Sequence, residues 1–281
     1  MRVGRIPYLN CAPVYGAVDR GIVRLDGDLV SGVPSALNRQ MAGGLLDVSV
    51  ISAVEYARES GKYVLLPDLA ISCDGPVRSV MLFSTRPAPE LHGAQVLVSR
   101  SSMTSVALLE LLFEQVWKAR PVFVPGDAEA DDLRQDHAPV AARLVIGDAA
   151  LMLRHRTHPV AEGHGQDYSF VYDLGVEWKA WTGLPFVFAV WVARREVNVR
   201  DALAVHGALI ESRNWGLSHL DQISGDASGP CHLPSSVIRQ YLSGLDYGLG
   251  LEYLEGLSEF FRRLERAGKV PQGKLVFLPA A

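Results

Sequence analysis

The sequence has only three cysteines, Cys11, Cys73 and Cys231, far apart and at no zinc or redox spacing. They read as free thiols of a reducing compartment. It has no run of lysine or arginine, and its net charge is −4, which argues against nucleic acid or an anionic membrane as a partner. No uninterrupted apolar stretch approaches the roughly 18–20 residues of a membrane span. The opening Met1-Arg2-Val3-Gly4-Arg5-Ile6-Pro7 lacks the apolar core of a secretory signal, so the expected location is the cytoplasm. The familiar catalytic motifs are missing too. There is no G-x-S-x-G elbow, no P-loop and no G-x-G-x-x-G fingerprint, and no Cys–His pair or paired carboxylates stand out. Those absences leave the residues alone unable to separate an enzyme from a carrier. His155, His158 and His164 share one loop segment, but their spacing fits no zinc pattern, so no metal is expected.

What is present is an ordinary globular composition, 48% apolar and 21% charged, over 281 residues. That length can bury a substantial core as one large or two medium domains. The richest stretch runs from Ser99 to Ser105, with hydroxyls at Ser99, Ser101, Ser102, Thr104 and Ser105. An apolar run, Val96-Leu97-Val98, precedes it. Leu109, Leu112, Phe113 and Val116 follow at helical spacing. Strand, hydroxyl-rich turn and helix make a good anion trap, because the first helical turn carries unpaired N–H groups and the positive end of the dipole. Plain helix capping is the competing reading.

Residues 2–6 read as a first strand running into the proline-stiffened loop Pro7-Tyr8-Leu9-Asn10-Cys11-Ala12-Pro13. Asn10 falls just past the strand end, where open α/β folds place ligand contacts; a local turn contact is its alternative. Gly32-Val33-Pro34-Ser35-Ala36-Leu37-Asn38 enters a helix that Gly43-Gly44 ends. Leu46 to Ser52 is a buried strand with Ser52 at its tip. Residues 64–72 and 77–84 read as strands split by Cys73-Asp74-Gly75-Pro76. Arg78 and Ser79 begin the second, and Arg78 over a cleft would suit a carboxylate. Pro87 and Pro89 read as a crossover into a second unit. That unit holds the Ser99–Ser105 site, an acidic loop over 126–132, and a strand ending in Gly147-Asp148, where backbone can approach a ligand and one acceptor is offered. Gly183-Leu184-Pro185 suits a return crossover into the apolar run Phe186–Ala193, and residues beyond 200 read as helices near 201–217, 234–244 and 249–267. The organisation is a two-lobed α/β protein, with residues 1–86 and 186–281 in lobe I and 87–185 in lobe II. A small anionic, hydroxylated ligand would lie in the cleft between them.

Taken in order, Arg5–Pro13, Gly32-Val33-Pro34-Ser35, Leu46–Ser52, Ser101–Ser105, Ile146-Gly147-Asp148-Ala149 and Thr182–Ala189 resemble the chorismate dehydratases of the futalosine route to menaquinone. The likeness covers roughly residues 3–195. The sister family, 1,4-dihydroxy-6-naphthoate synthase, opens with Ser-Pro-Cys-Pro-Asn-Asp, whereas this chain has Tyr8-Leu9-Asn10. The resemblance implies a type II periplasmic-binding-protein fold. It also implies cofactor-free loss of water from chorismate, a dicarboxylate, to give 3-[(1-carboxyvinyl)oxy]benzoate. Asn10 and Ser79 become the catalytic candidates. Ser52, Arg78, Ser101, Ser102, Thr104, Ser105, Gly147 and Asp148 become candidates for substrate binding. With no evident base, the substrate's own enolpyruvyl carboxylate is left to take the C3 proton. A non-catalytic binder of small anions is the alternative that the residues alone leave open.

Overall fold

The computed structural model describes residues 1–129, 140–157 and 168–279. The chain begins with β1 (Arg2–Arg5), α1 (Ala12–Asp19), β2 (Asp28–Ser31), α2 (Pro34–Ala42), β3 (Val48–Ser52), α3 (Ala53–Glu59) and β4 (Tyr63–Cys73). The middle holds β5 (Val80–Ser84), β6 (Gln95–Ser99), α4 (Met103–Gln115), β7 (Val122–Gly126), β8 (Ala142–Ile146), α5 (Gly147–Thr157), β9 (Phe170–Asp173) and α6 (Leu174–Thr182). β10 (Phe186–Arg194) then leads into α7 (Val199–Ser218), α8 (Leu220–Cys231), α9 (Ser235–Ser243) and α10 (Leu251–Arg266).

Two five-stranded sheets result, ordered β2-β1-β3-β10-β4 and β7-β6-β8-β5-β9. Each has three parallel strands followed by one antiparallel strand, β10 in the first and β5 in the second. β3, β5 and β8 are buried at every residue, as strands covered on both faces must be. The sheets share one apolar core. Val50 and Val190 of the first belong to the same cluster as Leu82, Val98 and Leu144 of the second. α4 reaches across to pack on α3, α10 and β10. It therefore buries Leu108 and Leu111 as well as the expected Leu109, Leu112 and Phe113.

The lobe boundary differs from the expected one. Residues 80–84 pair with β8 and β9 in the second sheet, so the chain crosses between Cys73 and Val80, not at 86–87. Asp173 fixes the crossing. Its buried carboxylate accepts from Val77 N at 3.0 Å and Arg78 N at 2.7 Å while capping α6 through Gly175 and Val176. Pro87 and Pro89 flank or enter only a 3-10 turn, Ala88–Leu91, between β5 and β6 of one sheet. Proline marks a rigid connection and does not say which sheet follows it. The helix α8 was also not expected, given Gly225, Gly229 and Pro230. Packing overrides propensity there: Ile223 is buried, with its Cδ1 reaching Gly16 of α1.

Candidate functional site

The ends of β1, β3, β6 and β8 all open toward the seam between the sheets. The cleft there is lined by Tyr8, Asn10, Ser52, Ser79, Ser102, Ser105 and Gly147 among polar groups and backbone, and by Ile6, Pro34, Ile71, Val77, Val80, Ile146, Phe188 and Ala189. It encloses about 60 Å³, less than the roughly 300–1,000 Å³ typical of small-molecule sites, so a ligand of that class needs the mouth of the cleft as well. None of these lining side chains is charged. Whatever binds here is met by hydroxyls, one carboxamide and helix N-termini.

Local geometry turns these groups inward. After β1 the chain makes a 3-10 turn, Leu9–Cys11, that carries Asn10. Asn10 Oδ1 is buried and has no hydrogen-bond partner, a costly state that a ligand donor would relieve. Ser52 sits between β3 and α3, where Asn38 grips it twice: Nδ2 donates to Ser52 Oγ at 3.0 Å, and Oδ1 accepts from Ser52 N at 3.1 Å. Ser102 is the N-cap of α4. Its Oγ accepts from Ser105 N at 3.2 Å and donates to Ser105 Oγ at 2.8 Å. Gly147 takes a left-handed φ of +64° with the Tyr8 ring 3.1 Å from where a β-carbon would stand. Only glycine suits that position. Burial, with the Glu129 and Asp148 carboxylates adding to it, pushes the Tyr8 phenol up to about 12, so it is a neutral hydroxyl at working pH.

Six of the ten residues singled out from sequence come together in this cleft: Asn10, Ser52, Ser79, Ser102, Ser105 and Gly147. Four do other work. Arg78 has a φ of +60° and sends its guanidinium to Gln240 O on α9 at 2.9 Å, away from the cleft lining. Asp173 holds its backbone in that turn, which explains the direction. Thr104 is buried and its Oγ1 accepts from Val54 N at 3.2 Å, joining α4 to the first turn of α3. Ser101 contributes its carbonyl to Ser35 N at 3.1 Å and its side chain to Tyr8. Asp148 accepts from Leu9 N at 3.0 Å, supporting the turn that holds Asn10. Burial raises the Asp148 carboxyl to about 6, with the Leu9 N–H opposing. Among the described residues no His, Cys, Asp and Glu cluster could hold a metal. His158, His164 and the acidic loop from 130 onward lie outside the described residues.

Sequence reasoning missed Tyr8, Asn38 and Tyr241. Tyr8 lies in the strand-end loop already singled out for Asn10, so the same rule could have found it. Asn38 is a carboxamide buried within an ordinary helix, and Tyr241 lies 162 residues from its partner Ser79. Neither carries a local signal.

Two α/β lobes, each with a crossed fourth strand, and a ligand cleft at the seam define the periplasmic-binding-protein fold. Solved structures agree. The Archaeoglobus fulgidus protein AF1704 superposes with a TM-score of 0.74 at 20% identity, covering 96% of this chain and 98% of that one. The periplasmic aliphatic sulphonate binding protein SsuA of Escherichia coli gives 0.62 at 14% identity, covering 98% and 90%. Residues 1–266 match the menaquinone-biosynthesis family, and the chain belongs to it. The chorismate dehydratase of Thermus thermophilus is 32% identical over 264 residues, 92% of each chain. Among the described residues no helix is long and apolar enough to cross a membrane.

Proposed function

We propose that this chain is a cytoplasmic chorismate dehydratase, removing water from chorismate to give 3-[(1-carboxyvinyl)oxy]benzoate without a cofactor. The observation that carries the reading is an uncharged, donor-lined cleft in a chain 32% identical to a curated chorismate dehydratase across 92% of its length. Chorismate brings two carboxylates and one hydroxyl, and the cleft offers partners for each. Ser102, Ser105 and the α4 N-terminus suit one carboxylate. Ser52 and Ser79 suit the other. Asn10, with its unpaired Oδ1, suits the C4 hydroxyl.

The C3–H bond is acidified through the diene to the ring carboxylate. In the proposed step the C3 proton leaves to the enolpyruvyl carboxylate. The electron pair it leaves behind closes the third ring double bond as the C4–O bond breaks, and the departing hydroxide regains the proton as water. The enzyme's share is positioning and stabilisation of charge on the ring carboxylate. Among the described residues no carboxylate, imidazole or amine lines the cleft, and the nearby carboxylate of Asp148 accepts from the Leu9 N–H. The first favours the substrate-assisted route, while Asp148, its carboxyl raised to about 6, is the competing base.

The test is to incubate purified protein with chorismate alone and to identify the product by mass. Loss of 18 mass units with new aromatic absorbance is expected. Chorismate that raises the melting temperature yet stays intact would identify a binder instead. Asn10→Ala should lower kcat more than it raises KM, because its contact is spent on the leaving hydroxyl. Equal losses in both would reduce Asn10 to a binding group.

A further inference from the structure

Ser79 receives a hydrogen bond from a fully buried hydroxyl. Tyr241, on α9, is 1% exposed, and its hydroxyl donates to Ser79 Oγ at 2.9 Å. Complete burial drives the phenol pKa well above its usual value, so Tyr241 stays a neutral hydroxyl with a hydrogen to give Ser79. Ser79 has one hydrogen of its own. Within the protein its acceptor is Val77 O at 3.4 Å, at the weak limit for an O–H donor. A ligand oxygen at ordinary distance would take that hydrogen instead.

A purely structural side chain at 241 gains nothing from the hydroxyl. Phenylalanine would fill the same space without a buried polar atom to satisfy. The pattern also recurs, for Ser52 Oγ accepts from Asn38 and Ser105 Oγ accepts from Ser102. Three cleft serines each have an acceptor site filled by a protein donor. From this geometry we infer that Tyr241 is a positioning residue for the proposed dehydration, holding Ser79 as a hydrogen-bond donor toward a substrate carboxylate. The inference rests on the chorismate dehydratase reading.

The experiment is a kinetic double-mutant cycle on the full chain with chorismate: wild type, Tyr241→Phe, Ser79→Ala, and both together. Tyr241→Phe keeps the ring packing, so a melting temperature close to wild type is expected. Its kcat should fall about tenfold, the scale of one well-placed hydrogen bond. Ser79→Ala should fall at least as far, and adding Tyr241→Phe to it should cost nothing more. In a Ser79→Thr background, which keeps the hydroxyl, the loss from Tyr241→Phe should return. Additive losses in the alanine background, or a Tyr241→Phe enzyme with wild-type kcat, would overturn the inference while leaving the dehydratase reading intact. A wild-type protein that leaves chorismate unchanged would overturn both.

Discussion

Asp148→Asn is expected to stabilise the protein above pH 6 and to leave it nearly unchanged at pH 4. Burial lifts the Asp148 carboxyl from 3.8 to about 6, and the Leu9 N–H offsets only part of that cost. In the unfolded chain the group titrates near about 3.9. Between pH 4 and 6 the folded protein thus holds a proton that the unfolded chain has released, and stability falls as pH rises through that window. Above it the deficit is constant. A displacement of about two pH units at about 1.4 kcal/mol each puts it near 3 kcal/mol. Asparagine has no charge to desolvate, and its carbonyl oxygen can still accept from Leu9 N, now 3.0 Å from the carboxylate. Its amide hydrogens need acceptors that the carboxylate did not, which trims the expected gain to about 1–3 kcal/mol. The measurement is the urea midpoint of both proteins from pH 4 to 8. Only their difference is informative, because burial also raises Glu55, Glu129 and Glu177, and these are common to both. The variant should gain on wild type from pH 4 to 6 and then stay ahead. A difference that is flat with pH, or that turns against the variant as pH rises, would refute the argument by showing a solvated carboxylate.

The reassigned residues give sharper tests of the site. Arg78→Ala should leave KM for chorismate within about twofold, since its guanidinium serves Gln240 and not the cleft; a tenfold rise would restore it as a carboxylate ligand. Thr104→Val should cost about 1–2 kcal/mol in chemical denaturation by orphaning Val54 N–H, with KM little changed. A rise in KM without loss of stability would return Thr104 to the substrate. Gly147→Ala combines a left-handed φ with contact against the Tyr8 ring. It should cost at least about 1–2 kcal/mol and depress kcat as the ring shifts, read by melting temperature and steady-state rates together. Wild-type behaviour in both would mean that the turn tolerates a β-carbon.

What could be read in the sequence is what neighbours in the chain decide. Strand, cap and helix around Ser102 are local, and so are Asn10 beyond β1 and Gly147-Asp148 beyond β8. The apolar run of β10 is likewise visible as a strand buried on both faces. The partner of a strand is not local. An apolar run at 80–84 looks the same in either sheet, and only its pairing with β8 and β9, far along the chain, decides. The direction of a side chain is equally hidden. Thr104 and Ser105 are adjacent hydroxyls at one helix start, yet one turns to Val54 N and the other into the cleft. Arg78 is drawn off by a backbone conformation that Asp173, nearly a hundred residues later, imposes.

Among the described residues no lysine or arginine lines the cleft, which bears on how such a site would divide binding from catalysis. Loss of water leaves both carboxylates of chorismate in place, so substrate and product present the same two anions. Any group that grips those anions binds the two species about equally, and uniform binding does not raise kcat. Cations would deepen both wells and slow release of the product. Hydroxyl donors and the N-terminus of α4 can orient the carboxylates with less ground-state stabilisation, while still meeting the charge that gathers on the ring carboxylate as C3 loses its proton. The C4 hydroxyl is the one group that product lacks. A side chain addressed to it discriminates between the two, and Asn10, whose buried oxygen is left without a partner, is the residue proposed for that contact.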